Sequence, residues 1–176
     1  MNLEQFKQLL EMLLREGLKD EHGYLHIMIM AQQSIGTKLD KLQNMVDKAI
    51  VDFARTVTFG DDKVGDALSL MYTQKQEELK DLHRDIPNVG PKYDLAEEKL
   101  KKLLHRLHSD LSKNITKGVD ANERDTLARE FAEIGTDIDV RLERAVLYIE
   151  TLKLLQDEVP KGESTSYTSA YLDLIR

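Results

Sequence analysis

The residues best suited to metal binding or proton transfer in this chain are its histidines, and four of the five occur as two close pairs. His22 and His26 are four residues apart, so on a continuous helix they would share one face and could chelate one metal ion. His105 and His108 form a second pair, three residues apart. No Glu lies between His22 and His26, where the metalloprotease pattern His-Glu-x-x-His requires one, and Gly23 weakens the helix there. The pairs therefore favour surface or capping histidines, with a metal-dependent bundle as the weakest alternative.

A di-iron centre of the kind found in ferritin-like four-helix bundles needs Glu-x-x-His on two helices. The residues three positions before the histidines are Lys19, Gly23, Lys80, Lys102 and His105. None of them is Glu, so this ligand pattern is missing. The absence of Cys excludes disulfides and Cys-ligated metal centres, and the sequence contains neither a Walker phosphate loop nor a Gly-x-Ser-x-Gly elbow. We predict a non-enzymatic protein without cofactor or metal.

The most basic stretch of this acidic chain is a patch formed by Lys99, Lys101, Lys102 and Arg106. One interpretation is a contact for phosphate, an acidic partner or a nucleic-acid strand. The favoured interpretation is internal pairing with the acidic last helix, which includes Glu130. A net charge of −7 and the lack of interleaved aromatic residues argue further against a nucleic-acid partner.

Composition predicts long helices packed by aliphatic side chains, because 41% of residues are hydrophobic but only 6% are aromatic. The sequence contains no run of about 18 apolar residues that would predict a membrane span, and its start does not resemble a signal peptide. We therefore expect a cytoplasmic protein, or one of a host cytoplasm or virion if its source is viral.

The element that would organise the fold is a long helix whose apolar residues are spaced by threes and fours. This stripe consists of Leu25, Met28, Ile35, Leu39, Leu42, Val46, Ala49 and Phe53. Only Gln32 interrupts it, and a single polar residue in such a seam often fixes register or oligomeric state. A helix of this length needs partners of similar length along its seam. Periodicity alone leaves open whether these partners belong to the same chain or to another copy.

The remaining segments predict shorter helices and one further long helix. A short N-terminal helix should end at Gly17, a tight reversal should follow at residues 58–62, and two helices should flank a break at Pro87–Pro91. Lys117-Gly118 should stop the second of these, and Asp120 should cap the last long helix. The predicted fold is all-α: an elongated up-down-up-down four-helix bundle with two long helices and a short N-terminal helix, covering residues 1–158.

Residues 159–176 are predicted to form a linker followed by a docking segment. The linker is rich in Pro, Gly, Ser and Thr, after which apolar side chains return. These side chains are Tyr167, Tyr171, Leu172, Leu174 and Ile175. A solvated terminus would not need them, so we expect the tail to dock on its own bundle or on a neighbouring subunit.

Two functions fit these features. The first is a structural or assembly protein that forms a homo-oligomer through Gln32, Ile35, Leu39, Leu42 and the tail, for example as a virion or phage-particle component. The second is a regulatory module that captures another protein in a groove between helices, near its methionines.

Overall fold

The computed structural model describes residues 3–55, 57–60 and 62–157, and the regular structure within them is helical. Helix α1 spans Leu3–Arg15, α2 Lys19–Asp52, α3 Lys63–Ser112 and α4 Ala121–Asp157. The all-α prediction is confirmed. Within the described ranges, no helix combines the length and the apolar character needed to cross a membrane. The predicted linker and docking segment, residues 159–176, lies outside the described residues.

The described helices pack as two compact units. Of the described residues, the first contains 3–40 together with Pro87–Asp139, and the second contains Lys41–Ile86 together with 140–157. Helices α2, α3 and α4 therefore each contribute to both units. The up-down-up-down order of four helices stays a prediction.

Several predicted helix ends are confirmed and have clear local causes. Gly17 follows α1 with a φ of 79°, and the Leu18 amide donates to the Leu13 carbonyl at 2.8 Å, as in a glycine-terminated helix. Before α4, the Asp120 carboxylate accepts a 2.9 Å hydrogen bond from the Glu123 amide. This contact satisfies an amide that has no partner within the helix.

The predicted stop at Lys117-Gly118 is wrong, because α3 ends earlier, at Ser112. The Ile115 amide donates to the Asp110 carbonyl at 2.8 Å, and Asn114 between them has a φ of 60°. Asn is the residue after Gly that best tolerates this left-handed conformation. Asn114 therefore performs the role that the prediction gave to Gly118.

The predicted break at Pro87–Pro91 is also wrong, since α3 runs through both prolines as one helix of 50 residues. A proline inside a helix removes a hydrogen bond and costs about 3 kcal/mol. Ile86, Val89 and Tyr93 are all buried around the two prolines, and burial of Ile86 and Val89 contributes about 1.5–3 kcal/mol each. Burial along the uninterrupted apolar stripe therefore offsets the cost of the prolines. The described residues form three long helices rather than two.

The predicted seam of α2 lies in the chain's own core. All of its apolar residues from Leu25 to Phe53 are buried except Leu39, which is half-buried. Within the first unit the core also contains Leu100 and Phe131, and within the second it contains Leu79 and Leu152. The chain itself thus covers the seam.

Candidate functional site

Gln32, the polar residue in the α2 seam, belongs to a hydrogen-bond network with α3 inside the first unit. Its side-chain Nε2 donates to the Tyr93 hydroxyl at 2.9 Å and to Glu97 Oε2 at 2.7 Å. The Tyr93 hydroxyl donates to the same carboxylate oxygen at 2.8 Å, and Lys101 donates to Glu97 Oε1 at 3.0 Å. Gln32 therefore has polar partners within its own chain, which explains its position in the seam without a second subunit.

The protonation states of this network are fixed by its own contacts. Burial, followed by the hydrogen bond to Glu97, raises the pKa of Tyr93 to about 12. The hydrogen bond from Lys101, followed by that from Tyr93, lowers the pKa of the Glu97 carboxyl. Near neutral pH the pair is thus a neutral phenol and a carboxylate, and neither has a pKa near 7 that would suit general acid–base catalysis. The arrangement is suited to holding α2 and α3 in register.

Gly36 supplies the space that Tyr93 occupies. A Cβ at position 36 would lie 2.7 Å from the Tyr93 hydroxyl oxygen, closer than real Cβ contacts come. A glycine one turn after Gln32 therefore lets the phenol reach both Gln32 and Glu97. From the sequence, Gln32 was the only signal of this network. Identifying Tyr93 and Glu97 as its partners requires the register of α2 against α3, which the sequence does not provide.

The predicted basic patch lies on α3 of the first unit, and each of its four cations has an acidic partner. Lys99 donates to Glu130 at 3.0 Å and Arg106 bonds to Glu123, both on α4, while Lys102 lies 3.2 Å from Glu98. The fourth cation, Lys101, bonds to Glu97. The positive charges of the patch are therefore paired within the chain. Two are paired with carboxylates of α4, the helix that the favoured interpretation named, and two with carboxylates of α3 itself.

A groove of about 940 Å³ runs along this part of the first unit. Among the described residues its lining includes Gln5 and Gln8 of α1, His105 and His108 of α3, and the patch cations. None of the described residues that line this groove is a methionine, so the predicted groove near the methionines stays a prediction. The observed groove is bordered by residues of both charges, and most of its lining surface is apolar.

The other histidine pair takes part in ring stacking. The rings of His22 and His26 are nearly parallel, with centroids 6.4 Å apart, and His26 stacks on Phe6 of α1 at 6.2 Å. This stack joins α1 to α2. No group of three or more potential metal ligands occurs in the part of the chain that the structure describes.

Arg124 of α4 forms a contact with α2 that the sequence did not indicate. Its guanidinium lies 3.8 Å from the centre of the Tyr24 ring and 3.3 Å from Glu21 Oε1. Both charged side chains are about 15% exposed, so the pair is sheltered from solvent. Cation–π and ionic contacts of Arg124 thus anchor the start of α4 to α2 within the first unit.

The residues predicted to contact another copy fall into two groups, the seam of α2 and the tail. Ile35 and Leu42 are buried, and Gln32 and Leu39 are half-buried, so this seam faces the chain's own helices. The tail residues Tyr167, Tyr171, Leu172, Leu174 and Ile175 lie outside the described residues. A different surface of α2 is open: Ile27 and Met30 are 68% and 53% exposed.

No protein-family model matches the chain, and comparisons with curated proteins and with solved structures find no match to it.

Proposed function

We propose that this protein is a non-enzymatic structural or assembly protein that acts by helix-mediated self-association. The observation that carries the proposal is an exposed, uncharged surface on α2. Residues 22–37 contain no Asp, Glu, Lys or Arg, although 32% of the whole chain is charged. Exposed aliphatic side chains, Ile27 and Met30, lie at the centre of this segment.

Depletion of charge is a recognised property of the central part of protein interfaces, which are also enriched in Met. An exposed helix face normally carries the charged residues that keep a protein in solution. The proposed contact therefore lies outside the seam, whose side chains the chain itself largely buries, on another side of the same helix. The tail from Tyr167 to Ile175 is proposed as a second contact. A virion or phage particle is one setting that would need such a protein.

Solution mass tests this function directly. Light scattering on the full chain, over a range of concentrations and at low and moderate salt, should give a mass above that of the 20.2 kDa chain that falls on dilution. An apolar contact should persist at moderate salt, because screening weakens exposed ion pairs and leaves apolar burial intact. A mass of one chain at every concentration would refute self-association.

The second candidate function is a regulatory module that binds another protein, and the groove beside α1 and α3 favours it. A groove of about 940 Å³ is large enough to accept a peptide segment, and its mixed charges would select a partner that carries both signs. Such a protein would be monomeric when free, so the same mass measurement separates the two candidates.

A further inference from the structure

We infer that the exposed side of α2 pairs in antiparallel orientation with the same surface of a second copy of this chain. We call this surface the α2 outer face, formed by Asp20, Gly23, Ile27, Met30, Ser34 and Lys38. The inference rests on the proposed self-association and specifies its contact surface and geometry.

These six residues share one side of the helix. They are spaced by threes and fours, so at 3.6 residues per turn their side chains form a single narrow stripe. Ile27 and Met30 are the exposed apolar residues at its centre. Gly23 and Ser34 are exposed on either side of them, and Lys38 keeps 41% of its side-chain surface in solvent.

The order of residue types along the face is self-complementary. A two-fold axis midway between Ile27 and Met30 places Ile27 of one copy level with Met30 of the other. The same axis places Gly23 level with Ser34. Large apolar side chains thus meet at the centre and small residues meet on both sides, which allows two helices to approach closely. A two-fold contact of this kind closes on itself as a dimer.

Charge complementarity selects the antiparallel orientation. With the same axis, Asp20 of one copy lies beside Lys38 of the other. Their positions along the helix axis differ by one residue, about 1.5 Å, and both lie on the same side of the helix pair. Each end of the contact then brings one Asp20 carboxylate next to one Lys38 ammonium group. A parallel pair would place Asp20 beside Asp20 and Lys38 beside Lys38, which is unfavourable. Lys38 also bonds Asp139 of its own chain at 2.8 Å, in an exposed pair that can accommodate a second carboxylate.

Gly23 gives separate support. Glycine inside a helix lowers stability relative to alanine, and a Cβ built at position 23 meets no atom of the described residues within 4 Å. Packing among the described residues therefore does not require a glycine there. Close approach of a second helix does require a small residue, and the antiparallel pair places one at this point.

Sedimentation equilibrium of the wild type and two matched variants tests the contact. Met30→Glu introduces a charge at the centre of the face, whereas Leu95→Glu introduces one at a site of almost equal exposure on α3, 54% against 53%. Concentrations from about 1 μM to 1 mM cover small, weak interfaces. We expect Met30→Glu to weaken dimerisation by at least about 30-fold, because each dimer would bury two unpaired carboxylates. Leu95→Glu should change it by less than about twofold, as expected for a site outside the contact.

Disulfide trapping tests the orientation of the two helices. Because the sequence contains no cysteine, no native thiol competes with the introduced ones. Two single-cysteine chains, Gly23→Cys and Ser34→Cys, are mixed and oxidised. Antiparallel pairing should give mainly the mixed disulfide, because two copies of position 23 would lie about 16 Å apart along the axis, beyond the reach of a disulfide. Predominant disulfides between identical chains would indicate parallel pairing and overturn the inference.

The outcomes separate this inference from the proposed function. A dimer that Met30→Glu disrupts and Leu95→Glu preserves supports both. A dimer that Met30→Glu leaves intact overturns the α2 outer face while self-association stands. A wild type that stays monomeric throughout the range overturns both. Circular dichroism of each variant confirms that its helices are intact.

Discussion

Replacing Tyr93 with Phe is the most direct test of the network that joins α2 to α3. The change removes one hydroxyl, which accepts from Gln32 at 2.9 Å and donates to Glu97 at 2.8 Å. A neutral hydrogen bond contributes about 0.5–1.5 kcal/mol and one to a charged group about 1.5–3 kcal/mol. Gln32 and Lys101 keep their own bonds to Glu97, which reduces the loss. We therefore expect the free energy of unfolding to fall by about 1–2 kcal/mol.

Tyr72→Phe is a matched control, because the chain contains a second buried tyrosine in a different situation. The Tyr72 hydroxyl is buried and has no hydrogen-bond partner among the residues that the structure describes. Removing it relieves a desolvation cost, so Tyr72→Phe should leave stability unchanged or raise it. In thermal unfolding followed by circular dichroism, Tyr93→Phe should lower Tm by about 2–8 °C relative to wild type. A Tyr93→Phe variant as stable as Tyr72→Phe would refute the proposed role of the network.

The pH dependence of stability provides a second readout of the same substitution. The pKa of Tyr93 is about 12 in the folded chain and 10.0 as its ordinary value, so the folded state holds this proton more tightly. The stabilisation from this group is complete below pH 10 and is lost as pH rises towards 12. The difference in unfolding free energy between wild type and Tyr93→Phe, measured in urea, should therefore shrink over this interval. A difference that is constant with pH would contradict the raised pKa.

Three further predictions concern other positions. Gly36→Ala should destabilise the chain by about 1–3 kcal/mol, because its Cβ would lie 2.7 Å from the Tyr93 hydroxyl. The loss should be smaller when Tyr93 is replaced by Phe, and urea unfolding of the wild type, the two single variants and the double variant would show this. Pro87→Ala should raise stability by up to about 3 kcal/mol in thermal unfolding, because it restores a hydrogen bond inside a continuous helix; no gain would contradict the continuity of α3. Deleting Tyr167 to Arg176 should weaken the oligomer in light scattering while leaving helical circular dichroism almost unchanged, and unaltered assembly would count against docking by the tail.

Sequence reasoning succeeded where a structural feature depends on local chemistry. The glycine at Gly17 and the cap at Asp120 act on adjacent backbone groups, so their residue types predict where helices end or begin. The apolar stripe of α2 predicts burial because helical periodicity places its members on one side. The opposite charges of α3 and α4 predict the pair between Lys99 and Glu130, whereas Arg106 pairs with Glu123 at the start of α4.

Sequence reasoning failed where a local preference competes with packing. Pro87 and Pro91 disfavour a helix, but the burial of Ile86, Val89 and Tyr93 outweighs that preference. The sequence contains no direct measure of this burial. The same limit applies to the predicted contact residues Ile35 and Leu42. An apolar stripe has the same sequence pattern whether it is buried by its own chain or by another copy.

The sequence by itself determined the helical class, the helix boundaries at Gly17 and Asp120, the acidic charge and the uncharged segment at residues 22–37, because each follows from residue type and local spacing. Only the tertiary structure decided which partners those residues have. It placed Gln32 against Tyr93 and Glu97, paired the cations of the basic patch with carboxylates, and left Ile27 and Met30 exposed on another side of α2. Such pairings depend on the register and rotation of one helix against another, which are set by the combined packing of residues far apart in the chain.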